Sequence, residues 1–337
     1  MITLEVLEAG PYTTVQDRGR FGGQRYGLGT AGAMDLYSLA VANSLVGNPV
    51  FAAGVEIGPL PARFRAVGGP VRLALAGAVR GMTIGGRAVN GQETFLLADE
   101  EVLAVRASAE GVFSLLAIEG GIAVEPVFGS LSMHARSGIG APYARALGAG
   151  DRLPVRAAGA WEAERNLKPP PRDKGPIRVV LGPQADHFSG EAIEAFLTTE
   201  WGISPTSDRM GYRLEGPPLE HAKGYNIISD GIANGSVQIP GNGQPLVLLA
   251  DRGTTGGYPK IATIITPDLG RLAQIAVGAK VRFAALPITE AQALTRHYFS
   301  ALEALAGSVR TIGGGDLSSE FLLAANLAGA AISGDEF

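Results

Sequence analysis

Residues Thr14–Asp35 read TVQDRGRFGGQRYGLGTAGAMD, and the choice of fold turns on them. Within the stretch, Gly27-Leu28-Gly29-Thr30-Ala31-Gly32 spells G-x-G-x-x-G. That pattern cradles a dinucleotide pyrophosphate when a buried strand leads into it and a helix leaves it. The helix is present: Leu36–Val46 places Leu36, Leu39, Ala40 and Leu45 on one face, Asp35 suits its N-cap, and Gly47-Asn48-Pro49 stops it. Glu56 lies near the ribose-binding distance of about 20 residues. The strand is missing, because DRGRFGGQRY (residues 17–26) is too polar and glycine-rich for the centre of a parallel sheet. The glycines are therefore assigned to a tight loop that carries Asp17 and Arg18.

The rest of the chain supports a β-rich reading. It has 337 residues, enough for two packed domains, with 46% hydrophobic and 18% charged residues. Its 48 glycines and 21 prolines imply short elements and many turns. The formal net charge of −4, without a basic stripe, argues against nucleic acid as partner. With no cysteine there are no disulfides, no thiolate catalysis and no Cys-ligated zinc. MITLEVLEAG is not a signal peptide and no apolar run reaches membrane-spanning length, so a soluble, cytoplasmic protein is expected.

Strands are expected at Ile2–Leu7, Val71–Leu75, Glu93–Leu97, Val102–Val105, Val112–Ile118 and Ile177–Leu181, with turns at Gly85-Gly86 and Asn90-Gly91. Ser189 caps a helix over Gly190–Thr198, and short strands run on to Phe283. Thr289 and Gln292 form a capping-box pattern for a helix to about Ala306, with Leu294, Tyr298, Ala301, Leu302 and Leu305 as its buried stripe. An apolar helix is expected over Ser319–Ile332. The proline-rich, charged stretch AAGAWEAERNLKPPPRDKGP reads as a solvated linker. The division is a β-rich domain over 1–158, a linker over 159–176, a second β-barrel domain over 177–287, and a helix with tail over 288–337. The fold class is mainly β: two tandem barrels with a few accessory helices.

Several chemistries have no sequence support. No Gly-Lys dipeptide exists, so a P-loop is absent. His134, His187, His221 and His297 are scattered, so no metal site is assigned. There is no G-x-S-x-G elbow and no Met-Lys biotin-attachment dipeptide. Three Asp-Arg pairs in glycine-rich loops stand out instead: Asp17-Arg18, Asp208-Arg209 and Asp251-Arg252. Arginine offers a donor fork suited to carboxylate, and an adjacent aspartate accepts loop N–H groups. Thr254, Thr255, Gly256 and Gly257 are candidates for an anion nest that stabilises charge on an amide oxygen. Each pair also has a plain reading as a loop-bracing ion pair. Gln238 and Gln274 read as satisfied barrel polars, and Tyr258-Pro259 as a cis-proline turn.

TVQDRGRFGGQRYGLGTAGAMD, EGGIAVEPVFGSLS, VVLGPQADHF, SDRMGYRLEGPPL, VQIPGNGQPLVLLADRGTTGGYPKIATI and DLGRLAQIAVG occur in an order that resembles the biotin-dependent carboxyltransferase family. That family includes the A/B subdomains of urea carboxylase, KipA and the C-type subunit of bacterial 5-oxoprolinase. The resemblance spans roughly residues 1–285 and implies two tandem cyclophilin-like β-barrels. It also implies partners: a KipI-like B-type subunit, and an A-type one besides. With these, a chain in the C-type position cleaves 5-oxo-L-proline to L-glutamate using ATP. The ATP site would lie on a partner, and no cofactor would be bound covalently. Two alternatives stand beside it: a urea-carboxylase-type carboxyltransferase working on carboxybiotin, and a non-catalytic KipA-like antagonist of a KipI-type kinase inhibitor. Within these motifs Asp17, Arg18, Asp35, Arg209, Asp251 and Arg252 are the candidate catalytic residues. Gln16, Tyr212, Gln238, Thr254, Thr255, Tyr258 and Lys260 are the candidates for binding substrate. Leu131, Met133 and Gly253 depart from the family's usual Arg, Thr and Gln.

Overall fold

The computed structural model describes residues 1–161 and 163–312. The helix expected at Ser319–Ile332 lies outside them.

The N-terminal strands form two sheets over one core. Six strands run in the order Arg152–Pro154, Thr3–Glu8, Ala62–Val67, Val102–Val105, Met82–Ile84, Arg87–Val89. Five run in the order Thr14–Gln16, Gly54–Ile57, Glu110–Ile118, Val71–Val79, Thr94–Leu97. Period-two alternation sends Leu4, Val6 and Phe64 of the first sheet and Val55, Leu73 and Leu116 of the second into the shared interior. Gly85 and Gly86 both take positive φ and turn the hairpin between Met82–Ile84 and Arg87–Val89, a conformation side-chain-bearing residues resist.

The second unit closes on itself. Its eight strands run in the order Lys280–Val281, Trp201–Ile203, Gly211–Glu215, Leu246–Leu248, Ser236–Gln238, Lys260–Ile264, Ile177–Leu181, Phe283–Ala285. The first and last are separated in the chain only by Arg282, so the chain itself joins the two edges into a barrel. Trp201, Phe196, Val237 and Ile261 fill it.

Helix α1 (Leu36–Leu45) starts where expected: the Asp35 side chain accepts the Ser38 N–H. It is not half-exposed, however. Ser38 through Leu45 are all buried, against Val71–Val79 and Glu110–Ile118 on one side and the C-terminal helix on the other. Apart from Tyr37 its polar side chains are small, so it is nearly apolar all round, and such a helix belongs in an interior. Helix α2 (Gly190–Thr198) has the predicted boundaries and Ser189 cap. Helix α3 (Thr266–Ala273) has no counterpart in the sequence reading. Pro267 and Gly270 suggest a turn, yet Pro267 sits in the first turn, where its missing N–H costs nothing. Helix α4 (Ile288–Ala304) begins one residue before Thr289, with Pro287 at its cap and no capping box. Leu302 and Leu305 are buried as predicted, while Ala301 is exposed.

The stretch read as a solvated linker is docked. Leu167 is buried beside α1, Arg165–Asn166 pair with Arg310–Thr311, and Trp161 lies between the guanidinium groups of Arg72 and Arg165. The single cis peptide among the described residues is Ala141–Pro142, so Tyr258–Pro259 is trans. Among the described residues no helix is long and apolar enough to cross a membrane.

Candidate functional site

The glycine loop lies against the C-terminal barrel, and the contact is built on one arginine. Arg209 is buried, and its Nε and Nη2 each donate to Asp251 at 2.9 Å. Nη2 also donates to the Gly32 carbonyl at 2.8 Å, and Nη1 to Glu56. The other Glu56 oxygen accepts the Met34 N–H at 2.7 Å. One guanidinium from the C-terminal unit thus holds a strand, a loop carbonyl and a neighbouring loop in fixed register. Burial works against its charge, but Asp251 and Glu56 outweigh that and raise its pKa. Burial pushes the fully enclosed Glu56 carboxyl up to about 7, with Arg209 opposing. Gly32 must be glycine: its φ is +98°, and a Cβ would meet the Arg18 carbonyl oxygen at 2.9 Å.

Asp251 therefore pairs with the arginine of another motif rather than with its neighbour. Arg252 is left as a buried guanidinium with no carboxylate among the described residues. Nε donates to the Ile232 carbonyl at 3.1 Å, and Nη1 to Thr30 Oγ1 at 3.2 Å and the Leu249 carbonyl at 3.3 Å. Nη2 makes no hydrogen bond among the described residues. Burial lowers Arg252 to about 10, with Asp251 opposing, so it remains charged at neutral pH. Arg80 is also lowered to about 10 by burial, but its donors are satisfied by Ser114 Oγ and the carbonyls of Leu60, Arg106, Ile57, Gly58 and Val112. The difference separates a structural arginine from one with an open donor, and an open, charged donor suits a carboxylate or developing oxyanion.

The other candidates divide. Asp17 takes four hydrogen bonds, from Gly19 N–H and the hydroxyls of Ser130 and Ser132 on Oδ1 and from Leu131 N–H on Oδ2, so it braces two loops. Gln16 is equally engaged, donating to Thr14 Oγ1 and the Met133 carbonyl and accepting Gly32 N–H. Arg18 stands apart, its guanidinium over the rings of Phe51, Phe299 and Phe21 at 5.0, 5.1 and 5.8 Å. Asp35 caps α1 and binds Arg172 and Gln274, each within 2.8 Å. Tyr212 is a core residue donating to the Ala273 carbonyl at 2.9 Å.

Lys260 is buried, and its Nζ contacts Asp230 at 2.6 Å and the Gly231 carbonyl at 3.2 Å. Gln238 donates to the Tyr258 carbonyl at 3.3 Å, and Tyr258 itself is exposed. The Thr254 carbonyl accepts the Ile232 N–H, and Thr255-Gly256 pair with Asp230-Gly231 as strands. These residues lie on segments next to Arg252, joined to it through Gly231 and Ile232, but not as an anion nest. A nest needs a left-handed residue, and none of Gly253, Gly256 and Gly257 takes positive φ. Gln274 does more than the sequence suggests: it accepts the N–H groups of Val112 and Phe113 and ties them to Asp35. A fourth Asp-Arg pair, Asp151-Arg152, divides its ion pairs between Arg145 and Glu5.

Two residues of the site escape the sequence reading. It offers Glu56 only for a nucleotide ribose, because the arginine that pairs with it lies 153 residues away. It tests His134 only as a metal ligand. Extended alternation sends Leu131 and Met133 into the apolar interior and turns Ser130, Ser132 and His134 toward the glycine loop. His134 is 3% exposed; Nδ1 accepts the Ser137 N–H at 3.2 Å, which places the proton of the neutral ring on Nε2. Burial keeps the ring neutral by lowering its pKa, with Arg209 and Arg20 adding to the effect and Asp251 opposing. Nε2 has no partner among the described residues, and a Cβ on Gly29 would come within 2.4 Å of it. The loop packs this closely only because residue 29 is glycine.

Two β units are thus joined over a buried Arg–Asp–Glu network, and the chain that carries them is a carboxyltransferase A/B-type protein. Residues 26–285 match the family model described as "Carboxyltransferase domain, subdomain A and B", and the chain belongs to this family. It is 38% identical to the C subunit of 5-oxoprolinase from Escherichia coli K12 over 86% of this chain and 93% of that protein. It also matches the crystal structure of TTHA0988 at TM-score 0.76 and 34% identity, over 84% of this chain and 56% of that one. The Kluyveromyces lactis urea amidolyase structure matches at TM-score 0.82 and 27% identity, over 90% of this chain and 20% of that one. The chain thus spans little more than half of TTHA0988 and a fifth of the amidolyase.

Proposed function

We propose that this chain serves as the C-type subunit of an ATP-dependent 5-oxoprolinase, which opens 5-oxo-L-proline to L-glutamate together with A- and B-type subunits. The observation that carries this reading is its similarity to the Escherichia coli C subunit over nearly the whole of that protein. The geometry is compatible. 5-Oxoproline carries a carboxylate and a lactam oxygen, and charge builds on the lactam oxygen as the ring opens. Arg252, charged and with Nη2 free of hydrogen bonds among the described residues, is the group to meet one of them. Thr30 and Lys260 would stand beside it. Asp17, Arg209 and Glu56 act as positioning residues, because their donors and acceptors are already engaged. One guanidinium and no lysine-bearing phosphate loop do not make a triphosphate cradle, so we assign ATP to a partner subunit.

The family model favours a second reading, carboxyl transfer from carboxybiotin to a urea-like amide. Both readings place the reacting amide oxygen near Arg252. The test is co-expression with the B-type subunit, addition of the A-type subunit, 5-oxo-L-proline and ATP, and measurement of glutamate. Glutamate release dependent on all subunits is the expected result. No glutamate from an assembled complex, with carboxylation of urea instead, would replace the first reading by the second.

A further inference from the structure

The rim formed by the loops around Arg252 differs from ordinary surface. Phe21 and Tyr26 on the glycine loop are 66% and 75% exposed, and Phe128 on the facing loop is 71% exposed. On the barrel side Tyr225 and Tyr258 are exposed, and Ile228 is 94% exposed. Short contacts make these loops neighbours. Arg20 Nε donates to the Val127 carbonyl at 2.9 Å, next to Phe128. Gln24 Nε2 and Arg252 Nε donate to one carbonyl, that of Ile232, each at 3.1 Å. Ile227 N–H donates to the Gly257 carbonyl, which brings Ile228 beside Tyr258. Isolated exposed apolar residues are common, but a set on adjoining loops marks an interaction site.

Phe128 strengthens the case. Its φ is +51°, a left-handed conformation that is costly for a bulky side chain. Among the described residues the ring, 71% exposed, gains little burial to offset that cost. The charge of the rim is also distinctive. Arg25 and Arg136 are exposed there and form no ion pair among the described residues, although the chain as a whole carries −4. Arg25 lies over the Tyr26 ring at 4.7 Å and Arg18 over Phe21 at 5.8 Å. The carboxylate nearest to Arg25 in sequence, that of Asp17, is turned inward on Ser130, Ser132 and Leu131, while Glu125 is exposed near Phe128. Exposed aromatics interleaved with arginine have the composition of a protein–protein contact centre.

We propose that this rim is the seat of the B-type companion subunit, and that the companion presents carboxylates to Arg25 and Arg136 and an apolar pocket to Phe128. It would cover the loops around Arg252 from outside. This rests on the reading of the chain as one subunit of a heteromeric enzyme, and adds where the partner sits and by what chemistry it is recognised. The relatives are in keeping with it: the region matching this chain is 56% of TTHA0988 and 20% of the amidolyase, so each carries further polypeptide in the same chain.

The test is calorimetric titration of the full chain with the purified B-type subunit in low and high salt. Phe128→Gly removes the ring and relaxes the backbone, so the free chain keeps or raises its Tm while Kd weakens at least tenfold. Arg25→Glu with Arg136→Glu weakens Kd at least tenfold at low salt and less at high salt, because screening removes the attraction in the wild type. Val79→Ser, at a 58% exposed position outside the rim, leaves Kd at the wild-type value. Wild-type affinity in both rim variants overturns the proposal, as does rim-dependent binding of RNA or of a second copy of this chain without any effect on the B-type subunit. An unaltered Kd in the rim variants with glutamate still formed removes this inference alone. A complex that loses affinity as predicted yet makes no glutamate removes the enzymatic reading alone.

Discussion

Asp17-Arg18 and Asp251-Arg252 are the same dipeptide in the same kind of glycine-rich loop, and the fold uses them in opposite ways. Asp17 turns inward and brings two loops together, while Arg18 lies out among aromatic rings. Asp251 reaches across to Arg209, while Arg252 is buried without a carboxylate among the described residues. In neither pair does the aspartate neutralise its own neighbour. A dipeptide supplies the chemical groups, but the partner that arrives from elsewhere in the chain decides whether each one braces the fold or stays open for a ligand.

The contrast breaks most visibly at Arg209. Arg209→Met leaves Glu56 and Asp251 as buried carboxylates without their cation, and the expected loss is about 3–5 kcal/mol in urea unfolding. Arg209→Lys recovers little of it, because an ammonium cannot reproduce the fork on Asp251. Asp17→Asn comes next. It replaces an acceptor by an amide N–H facing the Leu131 N–H, and costs about 1–3 kcal/mol by the same measurement.

A smaller effect is read in pH dependence. Glu56 has its folded pKa raised to about 7 by burial, above the ordinary carboxyl value of 4.5. The folded state therefore holds the proton more tightly than the unfolded one. The stability contribution is complete below about pH 4.5 and is lost as pH rises through 7, with a slope of at most about 1.4 kcal/mol per pH unit. Glu56→Gln removes that slope between pH 5 and 8, whereas Asp17→Asn leaves it unchanged. An unaltered slope in Glu56→Gln would assign the dependence to another group.

Local features are legible in the sequence, and tertiary ones are hidden. Ile177–Leu181 and the Ser189-capped α2 can be read to the residue, because alternation and capping are set within a few positions. The dinucleotide motif fails for the same local reason: only loop and a single short 3-10 turn separate Thr14–Gln16 from α1, so no central strand feeds the glycines. By contrast, α3 is hidden by its proline and glycine, and the docking of Leu167 and Arg172 by the polar, proline-rich character of their stretch. The site is half legible. Arg209, Asp251 and Arg252 stand out for their chemistry, but that Asp251 serves Arg209 and so leaves Arg252 open depends on contacts 42 residues apart. Glu56 and His134 carry no motif at all, and only the closure of the glycine loop over them gives them a place in the site.

In the proposed function Arg252 is the cation that meets the substrate through its open donor, and that reading depends on it. Arg252→Met, assembled with the A- and B-type subunits and supplied with 5-oxo-L-proline and ATP, measures this directly. Because no buried carboxylate loses a partner, the variant should fold and assemble as the wild type does, while glutamate formation falls by roughly a hundredfold or more. Wild-type turnover from the assembled variant would contradict the account.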